Sequence, residues 1–295
     1  MKWQGRRGSS NVRTSGGKKV VGGGIGGIII GLILWLVFDV NPMTAMQTGQ
    51  SITGGQSSST TTQPVTDNSR DTQFVKVVLA DTEAVWGEIF RENGSTYQEP
   101  ELILFNQRVE SACGLASAAT GPFYCPADKR VYLDTSFFAE MRHNLGISGD
   151  IQGSGSDNNQ DKAGDFAQAY VIAHEVGHHV QTLLGISQKV NQARQRLSQA
   201  EANQLSVRQE LQADCFAGVW ANRNQKRVQF LEPGDLEEAI HAASQIGDDR
   251  LAHASGREVV PDNFTHGTSQ QRVNWFKRGF QSGDIHSCDT FNSAI

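Results

Sequence analysis

Residues 165–185, DFAQAYVIAHEVGHHVQTLLG, carry an H-E-x-x-H string at His174, Glu175 and His178. Phe166, Tyr170, Ala173, Gly177, Val180 and Leu184 recur at steps of three or four, an apolar stripe that predicts an α-helix. Asp165 is placed to cap its amino end and Gly185 its carboxyl end. Imidazoles four residues apart on a helix lie about 40° apart around the axis, so both can grip one metal ion. Glu175 falls about 100° from His174, within reach of a metal-bound water without being a ligand itself. Two imidazole ligands and a free carboxylate form the core of zinc-assisted hydrolysis. Gly177 costs about 1 kcal/mol of helix propensity relative to Ala, and its missing side chain leaves room for close packing beneath the site. His179 points about 140° away from His174 and does not share the metal.

A third ligand is expected further along the chain. The metzincin extension needs Gly at 181 and His at 184; Gln181 and Leu184 exclude it. The run SVRQELQADCFAGVWANR reads as a second helix, on which Glu210 and Asp214 share a face while Leu211, Phe216 and Val219 face a core. Glu210 is assigned to the metal, and Asp214 to the free N–H of a ligand imidazole, where it fixes the tautomer. Asp214 as the ligand itself, or Glu201, are the weaker alternatives.

HEVGHHVQ, ELQADCFAGVW, GPFYCPADKRVYLD (121–134) and HGTSQQRVNWFKRGFQSGD (266–284) together resemble the neutral zinc metallopeptidase family of bacterial envelope proteins. The resemblance spans residues 70 to 293. It implies a membrane-anchored, zincin-like peptidase with His174, His178 and Glu210 on zinc and Glu175 as base. The E-x-x-x-D pattern is also similar to that of integral-membrane gluzincins, where the Glu is a ligand and the Asp supports the site.

The amino-terminal region has a different composition. Residues 1–19 carry six Lys or Arg and no acid, and Val20 to Phe38 then run without a charge. That length suits one bilayer crossing, and the positive-inside rule puts the basic end in the cytoplasm and the rest outside. A cleaved signal peptide is the competing reading, disfavoured by the length of the apolar run and the absence of a small-x-small site after Phe38. Gly23, Gly27 and Gly31 form a small-residue ridge that suits a transmembrane homodimer. Residues 39–72, rich in Ser, Thr, Gln and Gly, read as a flexible tether, followed by the catalytic domain over 73–295. The expected protein is thus a single-pass inner-membrane protein with its domain on the extracytoplasmic side. The net charge of −5 is mild, and its basic excess lies at the amino tip, which argues against nucleic acid as a partner.

Four cysteines in the expected exported part suit two disulfides. Cys113–Cys125 is the first choice, leaving Cys215 to pin Cys288 beside the second ligand helix. A helix is predicted from Thr72 to Asn93, ended by Gly94, and further helical stretches over Pro233–His253 and Ser269–Gln281. Leu102–Phe105, Pro122–Cys125 and Lys129–Asp134 read as short strands, the last as an edge strand able to pair with an extended substrate. Residues 146–164 form a polar loop before the metal helix, able to rim the cleft. The fold class is therefore α+β: a mostly helical zincin-like domain with a small sheet, after one transmembrane helix. His266, just before the last helix, is a candidate to stabilise an oxyanion, ahead of Tyr132 and Tyr170. The sequence points to hydrolysis of a peptide bond, the alternatives being a non-catalytic zinc-binding envelope protein and an amidase of cell-wall peptides.

Overall fold

A computed structural model describes residues 1–15, 69–117, 120–137, 164–254 and 258–295. The expected membrane run 20–38, the tether up to residue 68 and most of the 146–164 loop lie outside these residues. Among the described residues, no helix is long and apolar enough to cross a membrane.

The architecture is mostly helical with a small sheet. In chain order the main elements are β1 (Val12–Thr14), α1 (Arg70–Glu92), β2 (Glu101–Phe105), β3 (Arg108–Ser111), β4 (Gly114–Ser117), β5 (Phe123–Cys125) and β6 (Arg130–Asp134). Then follow α2 (Asp165–Leu183), α3 (Ile186–Arg194), α4 (Gln199–Val228), α5 (Asp235–Gln245), α6 (Asp248–Ala254) and α7 (Ser269–Ser282). One sheet has the order β1-β2-β6-β5, parallel except for the β5–β6 pair, while β3 and β4 form a separate hairpin. The segment expected at the edge, Lys129–Asp134, forms β6 over Arg130–Asp134 and is interior to the sheet. It is flanked by β2 in register Leu102↔Val131 and by β5 in register Phe123↔Tyr132. Val131, Tyr132 and Leu133, which alternate between its two faces, are all buried, as suits a strand covered on both faces. The edge falls instead to Phe123–Cys125.

The metal helix α2 is buried on nearly every side, with Phe166, Ala169, Tyr170, Ile172 and Val176 all inside the main core. Only the carboxyl end of the expected stripe departs, since Leu184 is exposed. Gly164 rather than Asp165 is the N-cap, and the Asp165 carboxylate instead accepts from the Trp3 indole N–H at 2.8 Å. At the other end Leu184 is the C-cap, and Gly185, in the left-handed region at φ 73°, turns the chain into α3.

Helix α4 is much longer than its apolar run suggested because a capping box starts it early: Ser198 and Glu201 exchange side-chain–backbone bonds. Glu201 is thereby spent on the cap and is no metal ligand. The helices lie close because glycines face neighbouring backbone. A Cβ at Gly177 would sit 3.1 Å from Ala213 Cα on α4. A Cβ at Gly218 would sit 2.1 Å from the Phe276 carbonyl, and one at Gly279 would sit 1.9 Å from that of Cys215. These contacts bring α2 and α7 against α4, so that residues from three helices meet at one point. Two disulfides join the pairs expected from sequence, Cys113–Cys125 and Cys215–Cys288.

Residues 1–15, expected as a detached basic tail, are part of this domain. Val12–Thr14 add a parallel strand to Leu102–Leu104, and Trp3 packs edge-on against Phe74. The Met1 amine lies 3.1 Å from an Asp235 carboxylate oxygen and 3.2 Å from one of Glu232. Likewise α1 starts at Arg70, capped by Ser69, so residues 70–72 belong to the domain and not to the tether. The reason is complementarity that composition alone hides: Arg6, Arg7 and Arg13 each face an acid far away in sequence.

Candidate metal centre and cleft

His174 and His178 project from α2 toward Glu210 on α4. His174 Nε2 lies 3.1 Å from Glu210 Oε2, and His178 Nε2 lies 3.4 Å from Glu210 Oε1. One ligand atom from each of the three residues falls within 4.8 Å of the others. Among the described residues this is the group of acids, histidines or cysteines arranged to hold a metal. The donor set, two imidazole nitrogens and a carboxylate, is one that zinc takes in hydrolytic sites while keeping a position open. The residues fit the ion: both Nε2 atoms converge on the carboxylate because both Nδ1 atoms are engaged elsewhere.

His174 Nδ1 is 2.8 Å from Asp214 Oδ1, so Asp214 stands behind the imidazole, on the other ring nitrogen from Glu210. Asp214 is fully buried and also receives the Tyr170 hydroxyl and two Arg272 N–H groups, each 2.9 Å away. The Arg272 guanidinium, 3 % exposed, donates further to the Ile246 carbonyl. His178 Nδ1 is held by the Gln181 side-chain oxygen at 2.9 Å. The Gln181 amide N–H₂ then donates to Gln209 O and to Gln212 Oε1, and Gln212 donates to Cys288 O.

These surroundings set the protonation of the residues when no metal is bound. Burial opposes a charge on His174, but Asp214 and the Glu210 hydrogen bond outweigh it and push its pKa up to about 10. Burial would raise Glu210, yet His178 and His174 hold it well below the usual carboxylate range. Glu175, outside the ligand trio, has its carboxyl raised chiefly by burial. That shift makes it a better proton acceptor than an exposed carboxylate.

Glu175 lines a cleft of about 420 Å³ together with His174, His178 and Glu210. Phe123 and Tyr124 of the edge strand form part of its wall, and His266 and Ile246 part of another. His179 is turned away from the metal ligands, to the Tyr124 hydroxyl at 3.1 Å and the Gln98 carbonyl at 2.6 Å. It thereby ties the edge strand to the metal helix.

His266 reaches the cleft with its Nδ1 3.0 Å from Asp248 Oδ1. The other Asp248 oxygen accepts three backbone N–H groups, from Thr265, His266 and Gly267. Burial works against a charged His266, but Asp248 prevails and raises its pKa. The other two candidates do not serve: Tyr170 is buried on Asp214, and the Tyr132 hydroxyl binds Asp128 at 2.7 Å. Gln181, Asp248 and Arg272 were not assigned their roles from sequence. Each contacts its partner through the fold, and only the position of Gln181 one turn after His178 carried a local signal.

The class of protein defined here, a helical domain with a two-histidine, one-carboxylate centre, agrees with the comparisons. The chain belongs to the family described as "Putative neutral zinc metallopeptidase", whose sequence model matches residues 1–155 and 156–291. It is 49 % identical over 309 aligned positions to "Uncharacterized protein YpfJ" of Escherichia coli K12, covering all of both chains. It is also 40 % identical over 221 positions to "Uncharacterized protein Rv2575" of Mycobacterium tuberculosis, covering 72 % of this chain and 68 % of that one. No solved structure matches it.

Proposed function

We propose that the protein is a zinc-dependent peptidase of the bacterial envelope, with His174, His178 and Glu210 as ligands and Glu175 as general base. The observation that carries this reading is the convergence of two Nε2 atoms and the Glu210 carboxylate beside a buried glutamate that is not one of the three. Zinc bound there would supply a Lewis acid and bring a water's pKa toward neutrality. Glu175 takes a proton from the attacking water and delivers it to the leaving amine. Asp214 holds His174 in the tautomer that turns Nε2 to the metal, and Gln181 does the same for His178. His266, oriented by Asp248, donates from Nε2 to the oxyanion as the carbonyl becomes tetrahedral. The free side of β5 offers backbone groups to an extended peptide, which makes the reading zincin-like.

The substrate is a peptide or protein chain outside the cytosol, since two disulfides suit an oxidising compartment. The apolar run Val20–Phe38 holds the protein at the membrane.

The test is Glu175→Gln in the full-length protein. It is expected to keep one zinc per chain by elemental analysis and to lose cleavage of an unfolded protein substrate by 10³-fold or more. Undiminished cleavage would remove Glu175 as the base. Zinc retained in both forms, with no cleavage of proteins or of cell-wall peptides by the wild type, would favour a binding protein instead.

A further inference from the structure

We infer that the first fifteen residues and the catalytic domain lie on the same face of the membrane. The Val20–Phe38 run therefore does not separate them by a single crossing. The inference is independent of the peptidase chemistry and replaces the topology that the positive-inside rule alone suggests.

It rests first on where the amino-terminal charges go. The Met1 amine faces Asp235 and Glu232, Arg6 pairs with Asp81, Arg7 lies 3.6 Å from Glu83, and Arg13 lies 3.6 Å from Glu101. All five acids belong to the domain. Four positive groups of the cluster that would orient a membrane span by staying in the cytoplasm, the Met1 amine, Arg6, Arg7 and Arg13, are here matched on the folded surface. The domain depends on those matches in turn. Glu83 is 4 % exposed; it accepts from Ser9 and Asn11 and pairs with Arg7, all from the amino-terminal segment. A carboxylate that deeply buried is costly without such donors.

Packing and sheet pairing support the same conclusion. Met1, Trp3 and Val12 are 5–6 % exposed within the main core. Val12–Thr14 cover β2, whose Leu102 and Leu104 would otherwise lie along an open edge. Trp3 also fixes Asp165 at the first turn of the metal helix, so the segment buttresses the site. The family match begins at residue 1. None of these contacts can form across a lipid bilayer.

Accessibility of introduced thiols tests this directly. All four native cysteines are in disulfides, so an added cysteine is the sole free thiol. Gln4→Cys and Ser10→Cys place one on the exposed side of the segment, and Ala193→Cys places one on the exposed face of α3. With a membrane-impermeant maleimide on intact cells, all three should fall in one class: labelled before permeabilisation, or all only after it. Segment thiols labelled from one side and the α3 thiol from the other would overturn the inference. Docking is checked separately by Trp3→Ala in the full-length, detergent-solubilised protein, expected to lower Tm by about 10 °C. An unchanged Tm would overturn it too, because the shared face follows from the docked segment.

Discussion

His174 and His178 lie one turn apart on the same helix, yet the regions behind them differ in kind. Behind His174 stands a charged cluster: Asp214 from α4, Arg272 from α7 and Tyr170 from α2, all buried. Behind His178 stands a neutral relay of two amides that ends on the backbone carbonyl of disulfide-bonded Cys288. The charged side holds its imidazole strongly, but loss of one member leaves an unpaired charge in the interior. The neutral side binds less tightly per contact, yet it is anchored covalently to the chain end. One imidazole is thus held by electrostatics and the other by tethering.

The largest effect is expected from breaking the charged side. Asp214→Ala strands Arg272 without its carboxylate and should cost roughly 3–5 kcal/mol in urea unfolding. The same variant should weaken zinc binding about 10- to 100-fold in a competitive chelator titration. Next is the tether: removing Cys215–Cys288, which spans 73 residues of sequence, by a double change to Ser should cost about 2–4 kcal/mol. If that protein kept wild-type zinc affinity at full stability, the disulfide would have no part in holding the relay. Smaller still is Gln181→Leu, which leaves His178 Nδ1 and Gln212 Oε1 without their partner and should cost about 1–3 kcal/mol. A Gln181→Leu loss larger than that of Asp214→Ala would reverse the ranking of the two sides.

A further test is pH. In the metal-free protein the pKa of His174 is raised from 6.5 to about 10, so its protonated form stabilises the fold. That contribution is whole below pH 6.5 and fades as pH rises through about 10. Glu210 is depressed below its ordinary 4.5, so its contribution is whole above that value and is lost on acidification. The two overlap fully only between pH 4.5 and 6.5. Zinc needs the imidazole neutral and must displace that proton. The Tm of chelator-treated protein should therefore fall from pH 7 to pH 10 while zinc affinity rises. Calorimetry in buffers of different ionisation enthalpy should also detect proton release on loading.

What could be read along the chain was what is local. The helix around His174 and both disulfide pairs follow from spacing and composition, and the structure bears them out; it also brings His174, His178 and Glu210 within reach of one another. The errors came where a residue's partner is remote. Asp165 has the chemistry of a helix cap, but Trp3 claims it. Lys129–Asp134 has the composition of an edge strand, but Phe123–Cys125 pairs along its free side. Residues 1–15 look like a basic tail because their acids lie beyond residue 80, out of range of any local pattern.

By itself, then, the sequence determined which side chains could meet at the site, because helical periodicity fixes which side chains share a face. The tertiary structure alone decided what surrounds them. It brought Arg272 under Asp214 through the close contact of Gly218 and Gly279 between α4 and α7, and His266 with Asp248 to the cleft wall. It also brought the amino terminus onto the domain. Those placements depend on long-range packing and paired charge, and neither is written in the spacing of neighbouring residues.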